Sequence, residues 1–229
     1  MSSDTARTEG ATGTTDSAAF WENHYAGVEP QGGTRPNAVL AEVVTALAPG
    51  PTGGGRALDL GCGHGGDALW LAARGWDVTA VDVSATALGR VAAGAAAAGL
   101  TERVHPDRHD LARSFPEGVF ELVTASYFHT PVEIPRDQVL RRAAEAVAPG
   151  GLLVLVEHAS LAPWSWQNGD EDVRFPTPDE VRASLRLDGG WRTERCHAPR
   201  RTATGPGGET ATVTDNVIAV RRLRPQREV

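Results

Sequence analysis

The chain has no lysine. All 22 of its basic residues are arginine, which removes two chemistries: a lysine Schiff base, and the phosphate-loop signature whose lysine reaches a nucleotide's phosphates. Cysteine is almost as scarce. Cys62 and Cys196 are the whole supply, too far apart in sequence to form a metal-binding pair, and a reducing compartment suits them. No apolar run approaches the ~20 residues of a membrane span. Residues 1–18 are rich in Ser, Thr, Gly and Ala without an apolar h-region, so neither signal peptide nor helix is expected there but a disordered tail, and the expected location is cytoplasmic. Positive charge is in deficit: a net −7 disfavours a broad nucleic-acid or anionic-membrane surface.

What is present suits one large domain. The 229 residues are 41% hydrophobic, enough to build a core. We place that domain at 19–223, between the tail 1–18 and a C-terminal tail 224–229, and find no internal repeat. The chain is organised around Arg56-Ala-Leu-Asp-Leu-Gly-Cys-Gly-His-Gly-Gly-Asp67. A short apolar run leads into Gly61, Gly63 and Gly65, and an amphipathic segment follows, so the stretch reads as strand, tight turn, helix. Glycine allows positive φ and lets a ligand approach where a Cβ would block it. The turn also aims free N–H groups at whatever binds.

Two ligands compete for such a turn. Gly61, Gly63 and Gly66 satisfy the dinucleotide pattern G-x-G-x-x-G, with Asp82 lying 21 residues beyond Gly61, which keeps an NAD-binding oxidoreductase open. Asp59 points the other way. A carboxylate at the mouth of the turn repels a pyrophosphate and suits a ligand with a cationic end. S-adenosylmethionine (SAM) carries an ammonium and a sulfonium, and no phosphate. The stretch Leu58-Asp59-Leu60-Gly61-Cys62-Gly63-His64-Gly65 closely resembles the first motif of class I SAM-dependent methyltransferases.

Along the chain, Phe20 to Tyr25 brings aromatics into a polar region. Asn37 caps a helix running to about Leu47, and Pro49-Gly50 stops it. Trp76 to Asp82 is a second strand. Ser84 is the N-cap of an alanine-rich helix that runs to about Ala98, with Gly99 as its stop. Arg103 to Asp110 is a weak third strand broken by Pro106, and Phe120 to His129 is a fourth with its exit. A helix is expected from Pro131 to Ala148, then a Pro-Gly-Gly turn into the buried strand Leu152 to Val156. Glu157 to Phe175 is a long loop with two tryptophans and a histidine, of the kind that often binds ligands. Thr177-Pro178-Asp179-Glu180 opens a helix with a capping box. Two last strands, 191–197 and 212–220, flank a wide loop around Gly205-Pro-Gly-Gly208.

The resemblance covers about residues 20 to 220 in element order. It implies an α/β, Rossmann-like sandwich with a mostly parallel seven-stranded sheet and a C-terminal antiparallel hairpin. It implies a cofactor site of Asp59, Gly61, Cys62, Gly63 and Ser126, with Asp82 accepting from the ribose hydroxyls and Val83 beside the adenine. Asp110, preferred to its rival Asp107, takes the adenine amine, with Leu111 beside it. Trp21, Tyr25 and Arg35 are either a flap over the cofactor or a staple of helix to sheet. His129 and His158 sit at strand exits as base or acceptor-orienting groups, or as structural hydrogen-bonders; Tyr127 orients the acceptor, and Trp164 and Trp166 wall it. Gly65-Gly66-Asp67-Ala68 and the helix end at Leu71-Ala-Ala-Arg-Gly75 are similar to small-molecule methyltransferases of the tellurite-resistance and thiopurine type. The expected acceptor is therefore a small molecule with an S, O or N nucleophile, with no metal, nucleic acid or membrane involved, and the chain acts as monomer or homodimer. Amino-group DNA methyltransferases carry a Pro-Pro-aromatic turn where this chain has Ala125-Ser-Tyr-Phe-His129. A non-catalytic SAM-binding module is the further alternative.

Overall fold

Leu152 to Val156 is uninterrupted aliphatic sequence, and a strand of that kind needs cover on both faces. In the computed structural model, which describes residues 16–28, 35–50, 54–165 and 174–225, it has it. Side chains alternate along the strand, so Leu152, Val154 and Val156 join one core and Leu153 and Leu155 the other. The strand is β5 (Val147–His158). The others are β1 (Gly55–Leu60), β2 (Trp76–Asp82), β3 (Val104–Arg108), β4 (Phe120–Ser126), β6 (Trp191–His197), β7 (Arg200–Thr204) and β8 (Thr210–Arg222). The sheet runs β3-β2-β1-β4-β5-β8-β6, with β7 paired to β8 off this path. Pairings from β3 to β5 are parallel; β8 is antiparallel to β5, β6 and β7.

One face is covered by α2 (Ala38–Leu47), α3 (Gly66–Ala72) and α4 (Ala85–Ala97), through Leu40, Val43, Val44, Leu71 and Val91. The other is covered by α5 (Arg136–Glu145) and α6 (Pro178–Ser184), through Val139, Leu140, Ala143 and Val181. Caps fix the helix starts. The Asn37 side chain accepts from Val39 and Leu40 N–H, the Ser84 hydroxyl accepts from Ala87 N–H, and Thr177 and Glu180 close a reciprocal capping box; each such cap contributes about 1 kcal/mol. Among the described residues no helix is long and apolar enough to cross a membrane.

Four expectations change. The expected tail 1–18 overlaps α1 (Ser17–Gly27), a helix capped by Asp16, so the aromatics from Phe20 to Tyr25 are carried on a helix. The sheet gains β7 in the segment expected to be loop. The helix expected over 131–148 is α5 alone, because Pro131 and Pro135 hold the preceding chain out of it. The third strand ends at Arg108, before Asp110, and runs through Pro106; an edge strand tolerates the missing donor.

The chain leaves β1 outward to β2 and β3, then returns to the other side of β1 as β4. A crevice opens where the strand order reverses, at the carboxyl ends of β1 and β4.

Candidate active site

Gly61, Gly63 and Gly65 all lie at positive φ, +65°, +52° and +83°. A side chain there costs about 1–2 kcal/mol per residue in strain. Space adds a second reason. A Cβ would sit 2.8 Å from the Phe128 ring at Gly61 and 2.9 Å from the Tyr25 hydroxyl at Gly63. Gly66 has ordinary φ, yet a Cβ there would collide with the Arg35 carbonyl, so this glycine lets the segment before α2 cross the start of α3.

The turn is tied to β2 through Asp82. One carboxylate oxygen accepts from Gly63 N–H at 3.0 Å and the other from Ser84 N–H at 2.9 Å. Burial raises the Asp82 pKa, and these backbone donors oppose it. The side chain borders a hollow lined by Trp21, Tyr25, Gly61, Val83, Asp110, Leu111, Tyr127 and His129. A second hollow is lined by Arg35, Asp59, Gly61, Cys62, Asp67, Ser126 and Tyr127. The two share Gly61 and Tyr127, so they form one bent trough over the end of β1.

Asp59 is the floor of the second hollow. It is 2% exposed; its Oδ1 accepts from the Thr124 hydroxyl at 2.8 Å, and its buried Oδ2 has no partner. Asp67 lies close enough to act on it electrostatically and accepts from Asn37 N–H at 2.6 Å. Burial raises both pKa values, and the proximity of Asp67 raises that of Asp59 further. A buried acid pair with an orphaned oxygen is incomplete without a proton or a cation. An ammonium fits it and a pyrophosphate does not.

Most residues expected at the cofactor therefore line this trough. Gly63 does not; it acts through Asp82. Asp110 borders the first hollow, where its Oδ1 accepts from Ala112 N–H and its Oδ2 pairs with Arg113 at 3.3 Å. Asp107 pairs instead with His109 at 3.2 Å and stands outside. Asp67 and His109 were missed in the sequence; Asp67 carried only the signal of an acid opening an amphipathic helix.

Tyr127 divides the trough from a second cluster. Its φ is +52°, a strained conformation for a side chain of this size. His158 stacks on its ring, with centroids 3.8 Å apart and planes 6° apart. His129 lies 5.9 Å from His158 and edge-on to Phe175 at 6.1 Å. Arg201 Nη2 donates to the Tyr127 hydroxyl at 2.8 Å, and its Nε donates to Asp215 at 2.5 Å. Burial, and then Arg136, push the His129 pKa down to about 3; burial also lowers that of His158 and pushes Tyr127 up to about 12. Trp164 does not border the trough; it stands against Gly205 in the β7–β8 turn. Trp166 lies outside the described residues.

Residues 57–151 match the family described as a methyltransferase domain. A ribosomal RNA small subunit methyltransferase C from Alcanivorax borkumensis is 36% identical over 115 residues, 49% of this chain and 35% of that protein. A ubiquinone biosynthesis O-methyltransferase from Caulobacter sp. is 31% identical over 149 residues, 59% of each. The chain thus spans between about a third and three fifths of these relatives' length. Among solved structures, one described as "Conversion of a Disulfide Bond into a Thioacetal Group during Echinomycin Biosynthesis" shares the fold with TM-score 0.67, over 92% of this chain and 93% of that one at 22% identity. TehB from Haemophilus influenzae does so with TM-score 0.63, over 82% and 63% at 15% identity.

The fold is the Rossmann-like one of class I SAM-dependent methyltransferases. Residues 57–151, less than half of the chain, match the methyltransferase-domain family, and SAM is the methyl donor that this match and the fold imply.

Proposed function

We propose that this chain transfers a methyl group from SAM to a small-molecule acceptor. The observation that carries the reading is the ring cluster at the edge of the trough: Tyr127, Phe128 and His129 border the first hollow, His158 stacks on Tyr127 and lies 5.9 Å from His129, and Phe175 stands edge-on to His129. A hollow edged by rings suits a flat or soft small acceptor. In this reading Asp82 holds the ribose, Asp59 and Asp67 face the ammonium, and Asp110, Leu111 and Val83 border the adenine. When bound, SAM supplies a methyl carbon already activated by the sulfonium. The protein's own work is then alignment and exclusion of water, with His129, His158 and Tyr127 orienting the acceptor. The net −7 works against docking on a polyphosphate backbone.

The relative that methylates ribosomal RNA, by its name, gives the second reading: a nucleic-acid acceptor. One experiment separates the two. The protein is incubated with labelled SAM and either a panel of thiols, phenols and amines or small ribosomal subunits. Label in the panel with none in the subunits is expected; label in the subunits alone would replace the small-molecule reading. Label in neither, with tight cofactor binding, would make the chain a non-catalytic SAM-binding module.

The first hollow is roofed by α1. Trp21 Nε1 donates to Thr130 Oγ1 at 3.2 Å, and Glu22 accepts from the Ser84 and Thr86 hydroxyls at 2.8 and 2.5 Å. These hydroxyls hold the Glu22 carboxyl down at about 2. Helix α1 buries no residue fully, so these ties and the ligand hold it in place. S-adenosylhomocysteine (SAH) is expected to slow amide exchange across residues 17–27 about tenfold, as for a lid that closes over its ligand. Equal exchange with and without SAH would show that α1 is a fixed staple.

A further inference from the structure

We propose that Asp215 and Arg201, from the C-terminal β7–β8 pair, set His158 as the proton acceptor for a hydroxyl or thiol acceptor. This rests on the small-molecule reading above and narrows it to one acceptor class.

The register of the sheet makes the pair. His158 and Asp215 lie directly opposite one another where β5 and β8 run antiparallel, the position at which cross-strand side chains meet. Asp215 is fully buried. Its Oδ2 accepts from the Tyr127 hydroxyl at 3.3 Å and from Arg201 Nε at 2.5 Å. Its Oδ1 is buried without a hydrogen bond, and His158 Nδ1 stands 3.9 Å away. A buried carboxylate oxygen without a donor is costly, and the nearby donor it needs is an imidazole N–H. That N–H fixes the proton on Nδ1 and leaves the Nε2 lone pair free. The gap is wider than a hydrogen bond, but catalytic contacts are often long before substrate binds and tighten afterwards. Stacking on Tyr127 holds the ring plane, and the His158 side chain keeps 29% of its surface exposed, so a proton taken up can pass on to water.

The charged and titratable groups facing His158 are Tyr127 at the end of β4, His129 in the loop that follows, Asp215 on β8 and Arg201 on β7. Asp215 favours the imidazolium and Arg201 opposes it. Arg201 also balances the buried carboxylate and carries the Tyr127 hydroxyl, so one guanidinium positions both rings.

This arrangement selects among nucleophiles. With X–H a hydroxyl or thiol, a lone pair on X forms the new X–C bond while the methyl–sulfur pair stays on sulfur. The X–H proton passes to Nε2 in the same step, when it is most acidic. An ammonium has no lone pair until it has lost a proton completely. An imidazole whose basicity burial has lowered lies about four or more pKa units below an alkylammonium, so amines are poor acceptors here.

The test has two arms. In the unliganded protein, the His158 ring titration is followed by NMR in wild type, Asp215→Asn and Arg201→Met, with near-ultraviolet circular dichroism as the check on folding. Removing Asp215's charge is expected to move the titration down by about one unit, and removing Arg201 to move it up by a similar amount. A titration unmoved in both variants overturns the proposal. In the second arm, wild type and His158→Ala are assayed with thiophenol, catechol and benzylamine. Methylation of the first two is expected. His158→Ala should lose about 10²-fold with catechol across pH, and with thiophenol only at pH values where the thiol is protonated. Methylation of benzylamine alone overturns the acceptor class. If none of the three is methylated while ribosomal subunits are, the small-molecule reading fails instead, and the NMR arm still decides whether Asp215 and Arg201 govern His158.

Discussion

Replacing Arg136 with alanine will destabilise the fold by about 3–5 kcal/mol, the range for removing one partner of a buried ion pair. Arg136 opens α5 and its Nη2 donates to Glu157 Oε1, while its Nε donates to the Phe128 carbonyl at 3.0 Å. Glu157 is 1% exposed and its other oxygen has no partner. Without the guanidinium, a buried carboxylate faces nothing positive. The effect will depend on pH in a definite direction. Burial already raises the folded-state pKa of Glu157 above its ordinary 4.5, with Arg136 holding it down; in Arg136→Ala it climbs further. Below 4.5 the group is protonated folded or unfolded, and this part of the penalty vanishes. As pH rises through the folded value, the unpaired charge develops and the penalty becomes complete. Urea unfolding at about pH 5 and pH 8 should therefore show the larger loss at pH 8. The double variant Arg136→Ala/Glu157→Leu should recover most of it. A single variant as stable as wild type at pH 8 would show that the pair contributes nothing. Because Arg136 also holds the Phe128 carbonyl, the loss reaches the loop carrying His129.

The parts of the fold that were legible are those where local chemistry and burial agree. The run from Trp76 to Asp82 is apolar at Trp76, Val78, Ala80 and Val81, all buried, and the bounds of β2 match it residue for residue. The caps at Asn37, Ser84 and Thr177 are short-range hydrogen bonds that sequence encodes directly. Helix α1 was not legible, because it buries no residue fully and so presents no apolar stripe to read. Strand β7, Arg200-Arg-Thr-Ala-Thr204, carries no large apolar side chain; its pairing with β8 makes it a strand. The site divides the same way. The glycine turn, Asp59 and Asp82 are local to β1 and β2. The cluster of Tyr127, His158, Arg201 and Asp215 joins residues up to 88 positions apart, and only the antiparallel register brings His158 to Asp215. Sequence could place His158 at a strand exit, but could not supply its partner.

Asp82→Ala will weaken SAH binding by about 10- to 100-fold, which corresponds to about 1.4–3 kcal/mol for charge-assisted hydrogen bonds to the ribose. Two losses combine. The ribose hydroxyls lose their acceptor, and the N–H groups of Gly63 and Ser84, which donate at 3.0 and 2.9 Å, lose theirs, so the glycine turn is held less firmly. NAD should not bind wild type, because its pyrophosphate brings no cation to balance the buried acids Asp59 and Asp67. Calorimetry with two ligands separates the halves of the trough. In the proposed reading SAH reaches both hollows, whereas 5′-methylthioadenosine has no ammonium and fills only the adenosine half. Asp82→Ala should weaken both ligands. Asp59→Asn keeps the oxygen that accepts from Thr124 but removes the charge, so it should weaken SAH and leave methylthioadenosine unchanged. Burial makes that charge costly on its own, so Asp59→Asn should also make SAH binding less dependent on pH. An Asp82→Ala protein that binds SAH as wild type does would remove the ribose assignment. An Asp59→Asn protein that weakens both ligands equally would show that Asp59 supports the turn rather than meeting the ammonium.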